Sequence, residues 1–366
     1  MNKKIPQQLI VDAPVCPIYE EEQKRPRWRE LQNEYYIVDP GCGHAINYLV
    51  WNTNSTIKPS SASTYSTHLY QFVDFLHSMG VTVCSAELEH VQQFFKYLSD
   101  NGKREGTLSL HKTSITNLYR HVDIHLGHEP NLRWDYIREF IKPSQFRTPP
   151  PIEREPISKE EIILLIENLN TQRERLVVQI ALEAGLRNSD IRGLKINDIK
   201  LEEKYLDFYN RKSNIWQRMP ISGELALLLR HWLYVGREST LVDPENDHLF
   251  PGQKHEQLSG GYLNSIVTEA AERAGIQEVI GKIKITERQK VSMKTDKEYR
   301  EMHKVTLHSL RHTFNQLLKD AGVPSDFRSA ALGHSSPEIT KKYYEHDDDN
   351  YDEVIGELFR GLQLGI

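Results

Sequence analysis

Two imidazoles, a guanidinium and a pair of phenols crowd the C-terminal part of this 366-residue chain. His308-Ser309-Leu310-Arg311 is followed by Leu332-Gly333-His334 and then by Tyr343-Tyr344. Cationic donors grouped with one phenolic nucleophile suit attack on a phosphodiester. A tyrosine hydroxyl, with a pKa of about 10, attacks poorly unless positive donors stabilise the developing phenolate and phosphorane charge. On a helix, positions 308 and 311 lie one turn apart and share a face. The arginine can fork onto two phosphate oxygens, and the imidazole can donate beside it or move a proton. Standing alone, His-x-x-Arg is an ordinary helix surface, and His312 beside it reads as structural.

Further cations stand upstream. Ala184-Gly185-Leu186-Arg187-Asn188-Ser189-Asp190 closes one helix and opens another, with Arg187 at the turn. Asp190, three residues on, can orient that guanidinium by an ion pair. Lys212 falls in a polar turn at 211–214 between two short strands, where it can protonate a leaving oxygen or stay solvated. Leu332-Gly333 ends a short helix, glycine being free to take a positive φ, so His334 emerges at a turn whose backbone is held. Ser335-Ser336-Pro337-Glu338 then starts a helix carrying Thr340, Tyr343 and Tyr344.

The elements that must position these groups follow from periodicity and punctuation. Residues 1–55 carry prolines and both charge signs with little periodicity, and read as an extension of uncertain order. A helical domain spans 56–149. Its first helix shows Leu69, Phe72, Val73, Phe75 and Leu76 at spacings of three and four. A second runs from Ser85 to Asn101-Gly102, a third from Ser109 through Val122, and a short fourth from Trp134 to Ile141. The prolines from Pro143 to Pro156 mark a linker, because proline is disfavoured inside helices and extends the residue before it. A catalytic domain is expected over 150–350. Ser158 with Glu161 forms a capping-box pattern, opening a helix to about Glu167. Helices follow at 174–184, 223–235, 261–274 and 306–321, the last closed by Gly322. Residues 205–209 and 217–221 read as two strands. Residues 276–304 look like an insertion or an exposed hairpin, and 351–366 like an amphipathic tail helix that docks on its own domain or on a neighbouring protomer.

Bulk properties narrow the class. The length fits two domains. A hydrophobic fraction of 38% supports ordinary cores, and 27% charged residues keep the surface soluble. No apolar run is long enough to cross a membrane. The opening Met-Asn-Lys-Lys lacks the apolar stretch of a signal peptide, so a cytoplasmic location is expected. Cys16, Cys42 and Cys84 form no close pair, which fits a reducing compartment and argues against structural zinc. The net charge of -5 argues mildly against nucleic-acid binding. The distribution counts for more, since Glu20–Glu22 and Asp347–Asp349 can lie away from a binding face.

Taken together, the spaced pieces resemble tyrosine recombinases of the phage-integrase family. The matching segments are AGLRNSD around Arg187, Lys212 ahead of Pro220, HSLRH at 308–312, and LGHSSPEIT at 332–340 followed by tyrosine; STYSTHLYQFVDFL at 63–76 resembles the same family's core-binding helices. The likeness runs over roughly 56–350. It implies a mostly helical α+β fold, with an N-terminal helical, SAM-like core-binding domain and a mixed catalytic domain containing a small antiparallel sheet. It further implies a clamp around double-stranded DNA in which Arg187, His308, Arg311 and His334 contact the scissile phosphate. Lys212 would protonate the 5'-hydroxyl leaving group, and Asp190 would occupy the accessory acidic position. The tyrosine would form a 3'-phosphotyrosyl link, which the partner strand's 5'-hydroxyl then resolves, so neither ATP, a metal nor another cofactor is required. A homotetramer in synapsis, a monomer free in solution and accessory DNA-bending proteins complete the expected partners; no membrane is among them.

The family places its nucleophile nine or ten residues after the histidine, giving Tyr343 or Tyr344. Tyr344 also completes a Tyr-x-His ending with Glu345-His346 and is preferred. Integration or excision of a mobile element is the leading biological role. Alternatives are a chromosome-dimer-resolving recombinase, a type IB topoisomerase, a DNA-binding scaffold that has lost catalysis, and a metal phosphoesterase. The 276–304 segment is longer than the family's usual connection; Lys282, Lys284, Arg288, Lys290, Lys294 and Lys297 either add DNA contacts or coat a solvated loop.

Overall fold

The computed structural model describes residues 59–126, 130–150, 152, 155–210, 212–213, 215–285, 290 and 295–333. Contacts divide the chain into two compact units that meet in sequence between Pro151 and Ile152. The expected 1–55 extension, the helix after Ser335 and the tail helix lie outside the described residues.

The first unit holds four helices: α1 (Pro59–Ser78), α2 (Leu88–Asp100), α3 (Glu105–Leu126) and α4 (Trp134–Phe140). The apolar stripe of α1 buries Leu69, Phe72, Val73 and Leu76 against Phe94 and Leu98 of α2 and Ile115 and Tyr119 of α3. Helix α2 starts three residues later than the sequence suggests. Thr82 and Ser85 tie each other into a turn, each backbone N–H donating to the other's hydroxyl at 2.9 and 3.2 Å, so Ser85 is spent before the helix begins. Helix α3 is longer than expected at both ends. Burial pushes the imidazoles of His68 and His111 down to about 4 and about 3, so both stay neutral in this core.

In the second unit, α5 (Lys159–Glu167), α6 (Gln172–Glu183) and α7 (Asn188–Gly193) lead into a sheet of β1 (Ile199–Lys200), β2 (Tyr205–Asn210) and β3 (Ile215–Pro220). The order is β1-β2-β3, antiparallel throughout, with Phe208 opposite Gln217. Helices α8 (Gly223–His231) and α9 (Gly260–Arg273) follow. A hairpin of β4 (Val279–Lys284) and β5 (Tyr299–His303) comes next, then α10 (Leu307–Asp320) and α11 (Ser325–Ala331). The Ser158 capping box forms as its sequence pattern predicts, with Ser158 Oγ accepting from Glu161 N–H at 3.2 Å and Glu161 Oε2 accepting from Ser158 N–H at 2.9 Å. Within 276–304, β4 and β5 pair antiparallel, and Lys282, Lys284 and Lys297 are exposed.

Helix α6 is buried at every position from Leu176 to Glu183 and packs against α10, so it forms the axis of this unit. Its last residue is a carboxylate. Glu183 accepts from the backbone N–H of Ser222 at 3.0 Å and from the Ser222 hydroxyl at 3.1 Å, while that hydroxyl accepts from Leu225 N–H to cap α8. The end of α6 is thereby stapled to the chain leaving β3. Burial pushes the Glu183 carboxyl up to about 7, outweighing the two hydrogen bonds that favour its charge.

A carboxyl whose pKa rises on folding contributes stability below its unfolded value of about 4.5, and that contribution is lost as the pH climbs through about 7. The stability difference between wild type and Glu183→Gln should therefore shift by up to about 3 kcal/mol between pH 5 and pH 8, with wild type losing ground as the pH rises. Urea unfolding at the two pH values measures it. Parallel pH dependence in both proteins would remove Glu183 as the cause.

Candidate active site

Local sequence sets where each cation stands. Arg187 is the N-cap of α7, its backbone N–H bonded to Asp190 Oδ2 at 3.3 Å. Asp190 is buried in the first turn, where a negative charge suits the helix N-terminus. Its ion pair with Arg187 is long, 3.8 Å, so the firm contact is to the backbone rather than to the guanidinium. Burial raises the Asp190 pKa despite Arg187, its backbone and Arg311, all of which pull it down.

Before Arg187 the chain must turn. Gly185 does so at φ +58, and a Cβ there would sit 2.2 Å from the buried Phe314 ring. Glycine is required twice over: by the left-handed backbone and by the approach of α10. The Gly185 carbonyl then receives Arg311 Nη1, and Arg311 Nη2 donates to the carbonyl of Leu332. Arg187 Nη2 donates to the same Leu332 oxygen at 3.2 Å. Two guanidiniums from distant segments thus meet at one carbonyl at the end of α11. Arg311 is 6% exposed, and burial together with Arg187 lowers its pKa to about 10, leaving it cationic at neutral pH. Arg187 Nη1 is buried and has no hydrogen-bond partner among the described residues.

Helix α10 begins with a reciprocal cap. Thr306 Oγ1 accepts from Ser309 N–H at 3.3 Å, and Ser309 Oγ accepts from Thr306 N–H at 2.8 Å. This fixes the phase of His308 and Arg311. His308 is exposed where Arg311 is buried, and its Nε2 lies 3.2 Å from Nε2 of His312. His312, read as structural in the sequence, is exposed beside His308.

Lys212 is exposed in the turn between β2 and β3, where Asn210 Oδ1 accepts from the backbone N–H of Lys212 at 3.0 Å and of Ser213 at 3.2 Å. Asn210 is one of two residues the sequence reading passed over. The other is Gln217, whose Nε2 donates to the Ala330 carbonyl at 2.9 Å. Both were detectable, since they are polar residues at the inward positions of strands whose other inward residues are Leu206, Phe208 and Met219. His334, Tyr343 and Tyr344 lie outside the described residues. No three His, Cys, Asp or Glu side chains among the described residues are grouped to hold a metal ion. No described helix is long and apolar enough to cross a membrane.

Comparison with known proteins gives the family of the chain. A model of the phage integrase family matches residues 155–350, and the chain belongs to that family. Its activity is that of a tyrosine-type site-specific recombinase, which breaks and rejoins DNA strands. A XerC-like tyrosine recombinase of Caldanaerobacter subterraneus is 23% identical over 82% of this chain and 79% of its own length. Transposase B of transposon Tn554 from Staphylococcus aureus is 25% identical over 63% of this chain and 34% of its own length. A lambda integrase tetramer bound to a Holliday junction shares the fold at a TM-score of 0.56, with 16% identity over 81% of this chain and 77% of that one.

The Gly185–Phe314 contact makes a direct forecast. Gly185→Ala should lower unfolding stability by about 2–4 kcal/mol, combining positive-φ strain with overpacking. Trimming the ring in Gly185→Ala/Phe314→Leu should recover part of that loss beyond additivity, because the clash is relieved while the strain persists. Strict additivity in the double-mutant cycle would show that the two groups do not meet.

Proposed function

We propose that this recombinase cleaves duplex DNA through a covalent 3'-phosphotyrosyl intermediate held by Arg187, His308, Arg311 and His334. The observation that carries the reading is the meeting of Arg187 and Arg311 at the Leu332 carbonyl. Two fixed guanidiniums are what a phosphorane with growing negative charge requires. His334, two residues beyond that carbonyl, adds a third donor to the same phosphate. His308 is the exposed imidazole of the set and is suited to take the phenol proton.

In the reaction the tyrosine oxygen bonds to phosphorus as the bond from phosphorus to the 5'-oxygen breaks. Lys212 gives its proton to that departing oxygen. The phosphodiester energy is kept in the new tyrosyl ester, so the 5'-hydroxyl of a partner strand can reverse the step with a new connection and without ATP or metal. Tyr344 is the nucleophile and Asp190 the accessory acid that holds the Arg187 turn. The helical first unit and the second unit act as the core-binding and catalytic domains, and both contact the duplex. Two duplexes are exchanged within a homotetramer, the state in which the lambda integrase neighbour is bound to its junction. The transposon-borne relative supports integration or excision of a mobile element as the role.

The test uses nicked suicide duplexes carrying the junction sequences of the genetic element that bears this gene. The full-length chain should form a denaturation-resistant protein–DNA adduct, unaffected by EDTA. Tyr344→Phe should abolish the adduct while Tyr343→Phe retains it; the opposite result moves the nucleophile to Tyr343. Arg187→Ala and Arg311→Ala should each lower adduct formation at least about a hundredfold, the loss expected for removing a donor to transition-state charge. DNA binding with no adduct in the wild type would make the chain a scaffold.

A further inference from the structure

Asn210 and Gln217 are the two most buried side-chain amides of the sheet, 0% and 2% exposed. Their hydrogen bonds run in one line. Ala330 carbonyl accepts from Gln217 Nε2 at 2.9 Å, Gln217 Oε1 accepts from Asn210 Nδ2 at 2.6 Å, and Asn210 Oδ1 accepts from the N–H groups of Lys212 and Ser213. The two ends of the line dictate its polarity. A carbonyl at one end can only accept and two backbone N–H groups at the other can only donate, so both amides have a single satisfying orientation. Neither can flip without leaving buried polar atoms facing like atoms.

The far end of the line is the turn that leads to His334. Gly333 takes φ +60 there, and a Cβ on it would fall 2.3 Å from Asn210 Nδ2 and 2.7 Å from Gln217 Oε1. The glycine therefore lets the backbone before His334 lie directly against the amide pair. The adjacent Leu332 carbonyl is the one that Arg187 and Arg311 share. A polar line inside an apolar sheet face thus connects the Lys212 turn to the turn that gathers both arginines.

From this geometry we propose that Asn210 and Gln217 are positioning residues that set Lys212 against the phosphate site, so that leaving-group protonation is in register with phosphate binding. The inference rests on the reading of Lys212 as the general acid. Lys212 stands on an exposed turn. Anchoring the turn's own N–H groups to the end of α11 restricts it to the neighbourhood of the phosphate, the kind of orientation whose loss costs rate rather than affinity. A link that merely satisfied buried polar groups would instead affect folding, and every catalytic step equally.

The discriminating substrate is the same suicide duplex with sulfur replacing the bridging 5'-oxygen at the scissile phosphate. A thiolate leaves without needing a proton, so defects in general acid delivery vanish on this DNA while other defects persist. Lys212→Ala is the reference: it should cleave ordinary DNA about a hundredfold or more slowly and recover to near the wild-type rate on the sulfur substrate. Gln217→Met, matched in shape, and Asn210→Asp, which keeps the acceptor for the turn, should each slow ordinary cleavage at least about tenfold. Both should bind DNA as wild type does and recover on the sulfur substrate. Two variants are used so that a folding failure in one, seen by thermal unfolding, leaves the other informative. Recovery of Lys212→Ala without recovery of either amide variant would overturn the inference, as would normal cleavage of ordinary DNA by both. Failure of Lys212→Ala itself to recover would instead remove Lys212 as the general acid.

Discussion

The second unit is organised around the carbonyls at the end of α11. A helix leaves its last carbonyls without partners inside the helix, and something must satisfy them when they are buried. Here the partners come from three distant stretches of chain. Arg187 and Arg311 converge on the Leu332 oxygen, and Gln217 shares the Ala330 oxygen with the N–H of Gly333. A need of the backbone is thereby turned into a locating device. Moving α11 by a fraction of an ångström shifts two guanidiniums and the β2–β3 turn together, and His334 follows directly in sequence.

That arrangement works only because the elements carrying the partners are rigid. Helix α6 is buried all round and delivers Gly185 and Arg187 at its end. Glu183 fastens the same end to the chain leaving β3, so the sheet bearing Asn210 and Gln217 is referenced to the same axis. Helix α10 closes against Gly185 through Phe314 and is phased by its Thr306–Ser309 cap. It is also tied to the start of the unit, where Thr313 Oγ1 accepts from Ile157 N–H at 3.1 Å. Side chains mounted on packed helices and a short sheet hold their geometry better than side chains on loops.

Much of this was legible in the sequence, and the reasons differ by element. The α1 stripe, the Ser158 cap and the β2–β3 pair follow from local periodicity and punctuation, which short-range physics controls. The convergence of Arg187 with Arg311 was legible only because their segments carry a spaced pattern; nothing local to either arginine requires it. What escaped was non-local or conditional. The start of α2 moved because Ser85 bonds to Thr82 instead of capping, a choice between two local hydrogen bonds that the sequence does not rank. Strand β1 is two residues long, too short for any alternation to register. Asn210 and Gln217 broke the apolar alternation of their strands, yet the meaning of the break depended on where Ala330 would come to lie.

The charge balance shows why the sum over a chain is a poor guide to its partner. A net charge of -5 argues against binding a polyanion, and an arginine neutralised by a carboxylate would strengthen that argument. The site avoids this. Arg311 donates to two carbonyls, which orient its fork without cancelling its charge, and the nearby Asp190 has its own pKa raised by burial. Arg187 meets Asp190 only at 3.8 Å. Backbone carbonyls orient both guanidiniums, with Asp190 3.8 Å from Arg187, and at short range in a partly desolvated setting their positive field is strong. Holding the two arginines by backbone carbonyls keeps a local cationic field in a chain whose net charge is -5.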